Sequence, residues 1–238
     1  DSNVSPLYGE RVLCSLRNGG WEIQQVVFPA GEERKTLETL GTLYEACVKA
    51  DLSRDSAIIA LGGGVSGDMA GLVAATYLRG VALIQIPTTF LSQVDASVGG
   101  KVAVNLDAGK NLVGTFYQPQ VVIADVATLG SLHERQLLSG LAEVIKHGLI
   151  ADVDLFQLLE ERLPAILLRT PEELSHCVIR SCQIKGRIVE ADEKETSARR
   201  EVLNFGHTVG HALEAATGYV EYTHGEAVAV GMVTAARL

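Results

Sequence analysis

The chain has 238 residues, 47% of them hydrophobic and only 5% aromatic, with a formal net charge of −9 at pH 7. That is enough apolar material for one large or two modest domains with a sizeable core, while the acidity argues against nucleic acid or an anionic membrane as the main partner. The best apolar stretch is broken by Arg79, short of a membrane span. The chain opens on Asp1-Ser2-Asn3 with no signal-peptide pattern. Cys14, Cys47, Cys177 and Cys182 lack Cys-x-x-Cys spacing and read as reduced thiols. A cytoplasmic protein is expected.

In chain order, helical patterns at about 7–18, 36–50 and 67–78 alternate with short apolar runs at 21–28, 56–61, 81–86 and 120–124. The runs are rich in β-branched residues and bounded by turn formers, so they read as strands. Strands alternating with helices predict a Rossmann-like α/β domain with a parallel sheet, over residues 1–130. From about 131 the strand signals stop. Segments 134–150, 152–168, 171–190, 204–217 and 223–238 all read as helices, predicting an all-α domain over 131–238. No repeat or low-complexity linker intervenes, so the two parts are expected to pack directly and share a cleft.

The first chemical motif is Leu61-Gly62-Gly63-Gly64-Val65-Ser66-Gly67-Asp68, which follows a strand and opens a helix. Glycines allow close approach of a phosphate, and the free N–H groups of a helix start favour an anion. A purely structural glycine turn is the alternative. The acidic residue that normally ends the next strand of a dinucleotide fingerprint is absent, because that strand runs into Pro87-Thr88-Thr89. Upstream, Glu32 and Lys35 read either as ribose contacts or as a solvated helix start.

Asp95-Ala96-Ser97-Val98-Gly99-Gly100-Lys101 and Gly109-Lys110-Asn111 set lysines among small residues, which suits close approach to a ligand. In Ala142-Glu143-Val144-Ile145-Lys146-His147-Gly148 the i, i+3 pair Glu143–Lys146 lies among apolar neighbours. A surface pair of this kind is an ordinary salt bridge, whereas a buried one is costly and points to function. Lys185, Arg200 and Asn204 add cations and an amide just before the last motif. That motif is Asn204-Phe205-Gly206-His207-Thr208-Val209-Gly210-His211, followed by His224-Gly225-Glu226. His207 and His211 stand one helical turn apart and share a face. They read as metal ligands and proton carriers, or as a cap and a core histidine. Glu143 with two imidazoles would make the His₂Glu set of a catalytic zinc.

These segments, with Met69-Ala70-Gly71 and Tyr77-Leu78-Arg79-Gly80, agree in order and spacing with the 3-dehydroquinate synthase family of sugar phosphate cyclases, which the chain resembles over essentially its whole length. The resemblance implies an NAD-dependent, zinc- or cobalt-requiring carbon–oxygen lyase. Its reaction would convert 3-deoxy-D-arabino-heptulosonate 7-phosphate to 3-dehydroquinate and phosphate, by transient oxidation, phosphate elimination, re-reduction and aldol closure. It implies Glu143, His207 and His224 as metal ligands, with His211 serving proton transfer. Asp95, Lys101, Asn111, Lys146, Lys185, Arg200 and Asn204 become substrate contacts. Lys101, Asn111 and Lys146 would hold the phosphate, with Arg79 reaching in from a second subunit of a homodimer. Lys185 and Arg200 would meet the carboxylate. NAD would lie against Glu32, Lys35, Gly63, Gly64, Val65, Asp68, Thr88, Thr89, Lys110, Ser131, Leu132 and Gln136.

Where the family reads Leu-Pro-x-Arg-Glu, this chain has Leu132-His133-Glu134-Arg135-Gln136. Against the family the chain is also expected to be truncated at both ends. A cyclase making an inosose or valiolone, a metal- and NAD-dependent polyol dehydrogenase and an inactive fragment are the rival readings. The cation cluster argues against the dehydrogenase, and Arg200 with Asn204 argues for a carboxylate-bearing substrate.

Overall fold

A computed structural model describes residues 1–238. The chain divides into two compact units: residues 1–87 with 100–123, and residues 88–99 with 124–238.

The first unit carries a three-stranded parallel sheet, ordered β1 (Ala57–Gly62), β2 (Ala82–Pro87) and β5 (Val121–Val122). Helix α1 spans Glu10–Asn18 and α2 spans Leu37–Lys49, its first turn capped by the Thr36 hydroxyl accepting from Thr39 N at 3.2 Å. Helix α3 (Gly64–Thr76) packs on β1 and β2. Between β1 and α3 the chain turns sharply at Gly62, whose φ of +154° favours glycine and whose hypothetical Cβ would lie 2.3 Å from Ser66 Oγ. Leu40, Cys47, Met69, Leu72, Val73, Val102 and Val104 form the core of this unit.

Two differences from the sequence reading concern strands. Residues 101–116 form an antiparallel hairpin, β3 (Lys101–Leu106) with β4 (Gly109–Phe116), that periodicity does not announce. Its outer residues, from Asn111 to Phe116, are exposed, so the strand lacks a run of buried apolar positions. Residues 21–28, expected to be a strand, belong to no sheet. Their backbone N–H and C=O groups have no neighbouring strand to complete a ladder. Val26 and Val27 remain 45% and 47% exposed. A largely apolar cavity of about 480 Å³ separates this segment from β1, lined by Leu13, Val27, Phe28, Cys47, Ile59 and Ile84 among others.

The second unit is helical, as expected: α4 (Glu134–Ala151), α5 (Val153–Leu167), α6 (Pro171–Ala191), α7 (His207–Ala216) and α8 (His224–Ala235). Its other ordered pieces are short helical segments, of which Ser92–Ala96 and Arg199–Asn204 bear on the site. Helix α4 is the hub, touching α5, α6, α8 and the 92–96 turn, while α7 pairs closely with α8. Local signals set the boundaries. Asp152 caps α5 by accepting from Leu155 N at 3.1 Å, and Pro171 with Glu172 and Glu173 opens α6. Phe90, Val94, Leu137, Leu141, Val144, Leu155 and Leu174 belong to its core.

In the first unit, Gly71 lets α3 settle onto β3: a Cβ there would stand 2.3 Å from Val102 Cγ1. Gly71→Ala is expected to overpack this contact and lower stability by about 1–3 kcal/mol, read as a lower urea midpoint with unchanged slope.

Candidate active site

The second unit builds its site around the inward face of α4. Glu143 and Lys146, three residues apart and therefore on one helix face, are 0% and 2% exposed and form a direct ion pair. That pair is the buried case of the two readings open from sequence. Asp95, in the 92–96 turn, receives Lys185 from α6: Lys185 Nζ lies 2.8 Å from Asp95 Oδ1 and donates to the Asp95 carbonyl at 2.6 Å. Burial would raise the Asp95 pKa, but Lys185, Lys146 and His147 together outweigh it and hold the carboxyl well below the usual carboxylate range. Glu143 is balanced in the same way. Burial and the nearby Asp95 push its pKa up, while His224 and Lys146 push it down further, so the group is ionised.

Three imidazoles approach from α7 and α8. The ring of His207 stands 5.3 Å from that of His211 and 5.2 Å from that of His224, centroid to centroid. His207 Nε2 and His224 Nε2 lie 3.7 and 3.6 Å from the same oxygen, Glu143 Oε1. Neither Glu143 oxygen accepts a hydrogen bond of good geometry, although both are buried. An ionised, hydrogen-bond-poor carboxylate facing two imidazole nitrogens is a donor set that fits a divalent cation, and ligand atoms of Glu143, His207 and His224 all lie within 4.8 Å of one another. Burial, reinforced by Lys146, pushes the His207 pKa down to about 4, so this ring is neutral and offers a lone pair. For His224, burial lowers the pKa, but Glu143 and Glu214 reverse the effect and raise it to about 9. A metal ion would therefore have to displace a proton from His224.

Close backbone contacts deliver these side chains. Gly231 of α8 would place a Cβ 1.9 Å from the Gly206 carbonyl, and one on Gly225 would lie 2.0 Å from the Ser139 carbonyl of α4. Any side chain at either point would push helices apart. Gly225 N donates to Ser139 Oγ at 3.0 Å, and Thr223 with Glu226 forms a reciprocal capping box at the start of α8. Arg135 of α4 grips Glu226 through Nε–Oε1 at 2.8 Å and Nη2–Oε2 at 2.7 Å. The sequence reading missed Arg135, Ser139 and Glu214. Thr223-x-x-Glu226 could have been read as a capping box, and Arg135 stands at the Arg of the family's Leu-Pro-x-Arg-Glu stretch, but nothing local marks Ser139 or Glu214.

The other residues singled out from sequence fall in several places. In the first unit, Lys35 is buried and contacts both Asp68 and Asn111, which excludes the solvated helix start. Asn105 joins this group, donating to Glu32 at 2.8 Å and accepting from Asn111 N at 2.9 Å. Gly63 is the N-cap of α3, where no side chain caps the first turn, and Gly64 and Val65 begin the helix. Lys101 is exposed at the start of β3, Lys110 is half-buried in β4, and Arg79 is exposed with a left-handed φ of 68°.

In the second unit, the Thr88 hydroxyl is buried without a hydrogen-bond partner, while Thr89 Oγ1 meets Ser92 Oγ at 2.8 Å. Ser131 Oγ donates to Thr128 O at 3.1 Å, the Leu132 carbonyl accepts from Arg169, and Gln136 is exposed on the first turn of α4. Arg200 is buried and anchored, donating to the Glu193 carbonyl at 2.8 Å and the Gly99 carbonyl at 3.3 Å. Asn204 and His211 are exposed.

Solved structures similar to this chain include sugar phosphate cyclases, and glycerol and iron-containing alcohol dehydrogenases share the fold at 20% identity or less. The 2-epi-5-epi-valiolone synthase of Streptomyces hygroscopicus subsp. jinggangensis 5008, solved with NAD+ and Zn2+ bound, is 32% identical with a TM-score of 0.91 over 98% of this chain and 65% of its own. A 2-deoxy-scyllo-inosose synthase complexed with carbaglucose-6-phosphate, NAD+ and Co2+ is 39% identical with a TM-score of 0.82, over 87% of this chain and 56% of its own. The sequence narrows this class. Residues 25–139 match the model of the 3-dehydroquinate synthase N-terminal region and 140–238 that of the C-terminal region. The 3-dehydroquinate synthase of Caldanaerobacter subterraneus subsp. tengcongensis is 58% identical over all 238 residues, which span 67% of that relative. The chain belongs to the 3-dehydroquinate synthase family.

The Arg135–Glu226 grip generates a pH expectation. Glu226 has its pKa lowered to about 2, chiefly by Arg135 and also by the capping bonds at Thr223. A depressed folded-state pKa stabilises fully above the unfolded value of about 4.3, and that stability is lost as pH falls through the folded value. Urea midpoints of the wild type and Glu226→Gln should therefore differ by a constant amount above about pH 5 and converge towards about pH 2.

Proposed function

We propose that the chain carries out the reaction of its family, converting 3-deoxy-D-arabino-heptulosonate 7-phosphate to 3-dehydroquinate and phosphate, as a homodimer in the cytoplasm. The observation that carries this reading is the buried Glu143 between two imidazoles and Lys146, with Lys185 and Arg200 buried in the same unit. Each of these buried cations already meets a carboxylate, Lys146 with Glu143, Lys185 with Asp95 and Arg200 with Glu195, so a polyanionic substrate would share or displace these pairs. Arg200 and Lys185 supply the charge for a substrate carboxylate, which favours the heptulosonate over sugar phosphate substrates that lack one.

Glu143, His207 and His224 would hold zinc or cobalt, and NAD would meet the uncapped start of α3 at Gly63, Gly64 and Val65, with Glu32, Lys35 and Asp68 nearby. When bound, the metal would polarise substrate hydroxyls, and NAD would take up one hydride from the substrate and later return it. The chain's own residues orient and neutralise. Lys146 balances the phosphate and stabilises it as it leaves. Asp95, kept ionised by Lys185 and Lys146, accepts a hydrogen bond from a substrate hydroxyl. His211, exposed one turn beyond His207 and outside the ligand set, exchanges the proton at the ring oxygen or hydroxyl that faces it.

Glu143→Ala, His207→Ala and His224→Ala should each lose stoichiometric zinc after dialysis, while His211→Ala retains it. Elemental analysis checks this, and loss of zinc from His211→Ala would overturn the ligand assignment.

The reaction itself is tested by incubating the zinc-loaded chain with the heptulosonate phosphate and catalytic NAD. Phosphate should be released over many turnovers without net absorbance change at 340 nm. Sustained accumulation of NADH would identify a polyol dehydrogenase instead.

A further inference from the structure

A metal-binding imidazole must present a lone pair at one nitrogen, so its proton has to sit on the other, and an acceptor there fixes both tautomer and ring orientation. The two histidines facing Glu143 are arranged alike in this respect. His207 has Nε2 towards Glu143 and Nδ1 3.3 Å from the Phe205 carbonyl. His224 has Nε2 towards Glu143 and Nδ1 3.3 Å from Glu214 Oε2. For His207 the acceptor is backbone; for His224 it is a carboxylate that is itself 5% exposed. Glu214 stands on α7 seven residues after His207, hence on the same helical stripe. A buried carboxylate is costly unless it is partnered, and its contact with His224 is one that no local motif requires.

We propose that Glu214 is the positioning residue for His224. It accepts the Nδ1–H, leaves Nε2 as the ligand atom, and through its charge makes the imidazole a stronger donor. The inference rests on the metal reading of Glu143, His207 and His224. It also distinguishes Glu214 from a direct ligand. Glu214 could pair with His211 and His224 as a separate three-residue metal set, but the exposed His211 would then be required for binding.

The test measures zinc affinity of the full chain by competition with a chromophoric chelator, for wild type, Glu214→Gln, Glu214→Ala and His211→Ala. Removing an oriented carboxylate partner of a metal-binding histidine is expected to weaken binding about 10–100-fold. Glu214→Ala should show that loss. Glu214→Gln, which keeps an acceptor oxygen and the side-chain shape, should fall between it and the wild type. His211→Ala should bind as the wild type does. Thermal midpoints of the metal-free proteins establish that each variant is folded. Nitrogen-15 NMR of His224 in the zinc form of the wild type should find metal on Nε2 and a proton on Nδ1.

If the wild type itself fails to take up zinc, the metal reading falls and the inference with it. If the wild type binds zinc and both Glu214 variants match it within about twofold, Glu214 has no positioning role and the metal site stands. Zinc lost from His211→Ala together with the Glu214 variants would make Glu214 a ligand and overturn the proposal. Should neither Glu214 variant fold, metal found on Nδ1 of wild-type His224 would still refute it.

Discussion

A fully buried carboxylate with no good hydrogen bond, Glu143, is the constraint on which the second unit depends. Left alone in an apolar helix bundle, such a charge would be expelled or protonated. It is kept ionised because Lys146 sits on the same face of α4 and His224 approaches from α8. Removing one member of a buried set like this strands the others, which commonly costs about 3–5 kcal/mol. The contacts that keep Glu143 ionised are thus also the contacts that hold the helices together.

Bringing the imidazoles to Glu143 requires helix backbones to approach more closely than ordinary side chains allow. Gly231 meets Gly206, and Gly225 meets Ser139, at distances where any Cβ would clash. His207 and His224 are each the first residue of their helices, so their positions follow from how those helices start. Gly206 provides a left-handed turn before α7, and the Thr223–Glu226 capping box, clamped by Arg135, sets the first turn of α8. The placement of these two imidazoles is therefore partly a matter of helix capping.

In the first unit a smaller polar cluster repeats the theme of mutual satisfaction. Lys35 is buried because Asp68 and Asn111 receive it, and Asn105 links Glu32 to the Asn111 backbone. Asn105 lies on β3 and Asn111 on β4, so the hairpin that periodicity does not announce brings part of this cluster together. The unfilled space beside 21–28 has the complementary cause: an apolar run becomes a strand only when another strand completes its hydrogen bonds.

Helix periods made α4 to α8 legible in the sequence, along with the shared face of Glu143 and Lys146 and the one-turn spacing of His207 and His211. These are consequences of 3.6 residues per turn, which needs no knowledge of neighbours. The candidate donor set could be picked out as well, as a carboxylate and imidazoles in a polar minority. Tertiary structure alone decided which nitrogen of each histidine faces Glu143, that Lys185 pairs with Asp95 ninety residues away, and that Glu214 lies behind His224. It also decided that residues 21–28 stand outside the sheet and that 101–116 fold as a hairpin. These features depend on how closely separate backbones approach and on whether a partner completes each polar group. Neither quantity is encoded in local spacing.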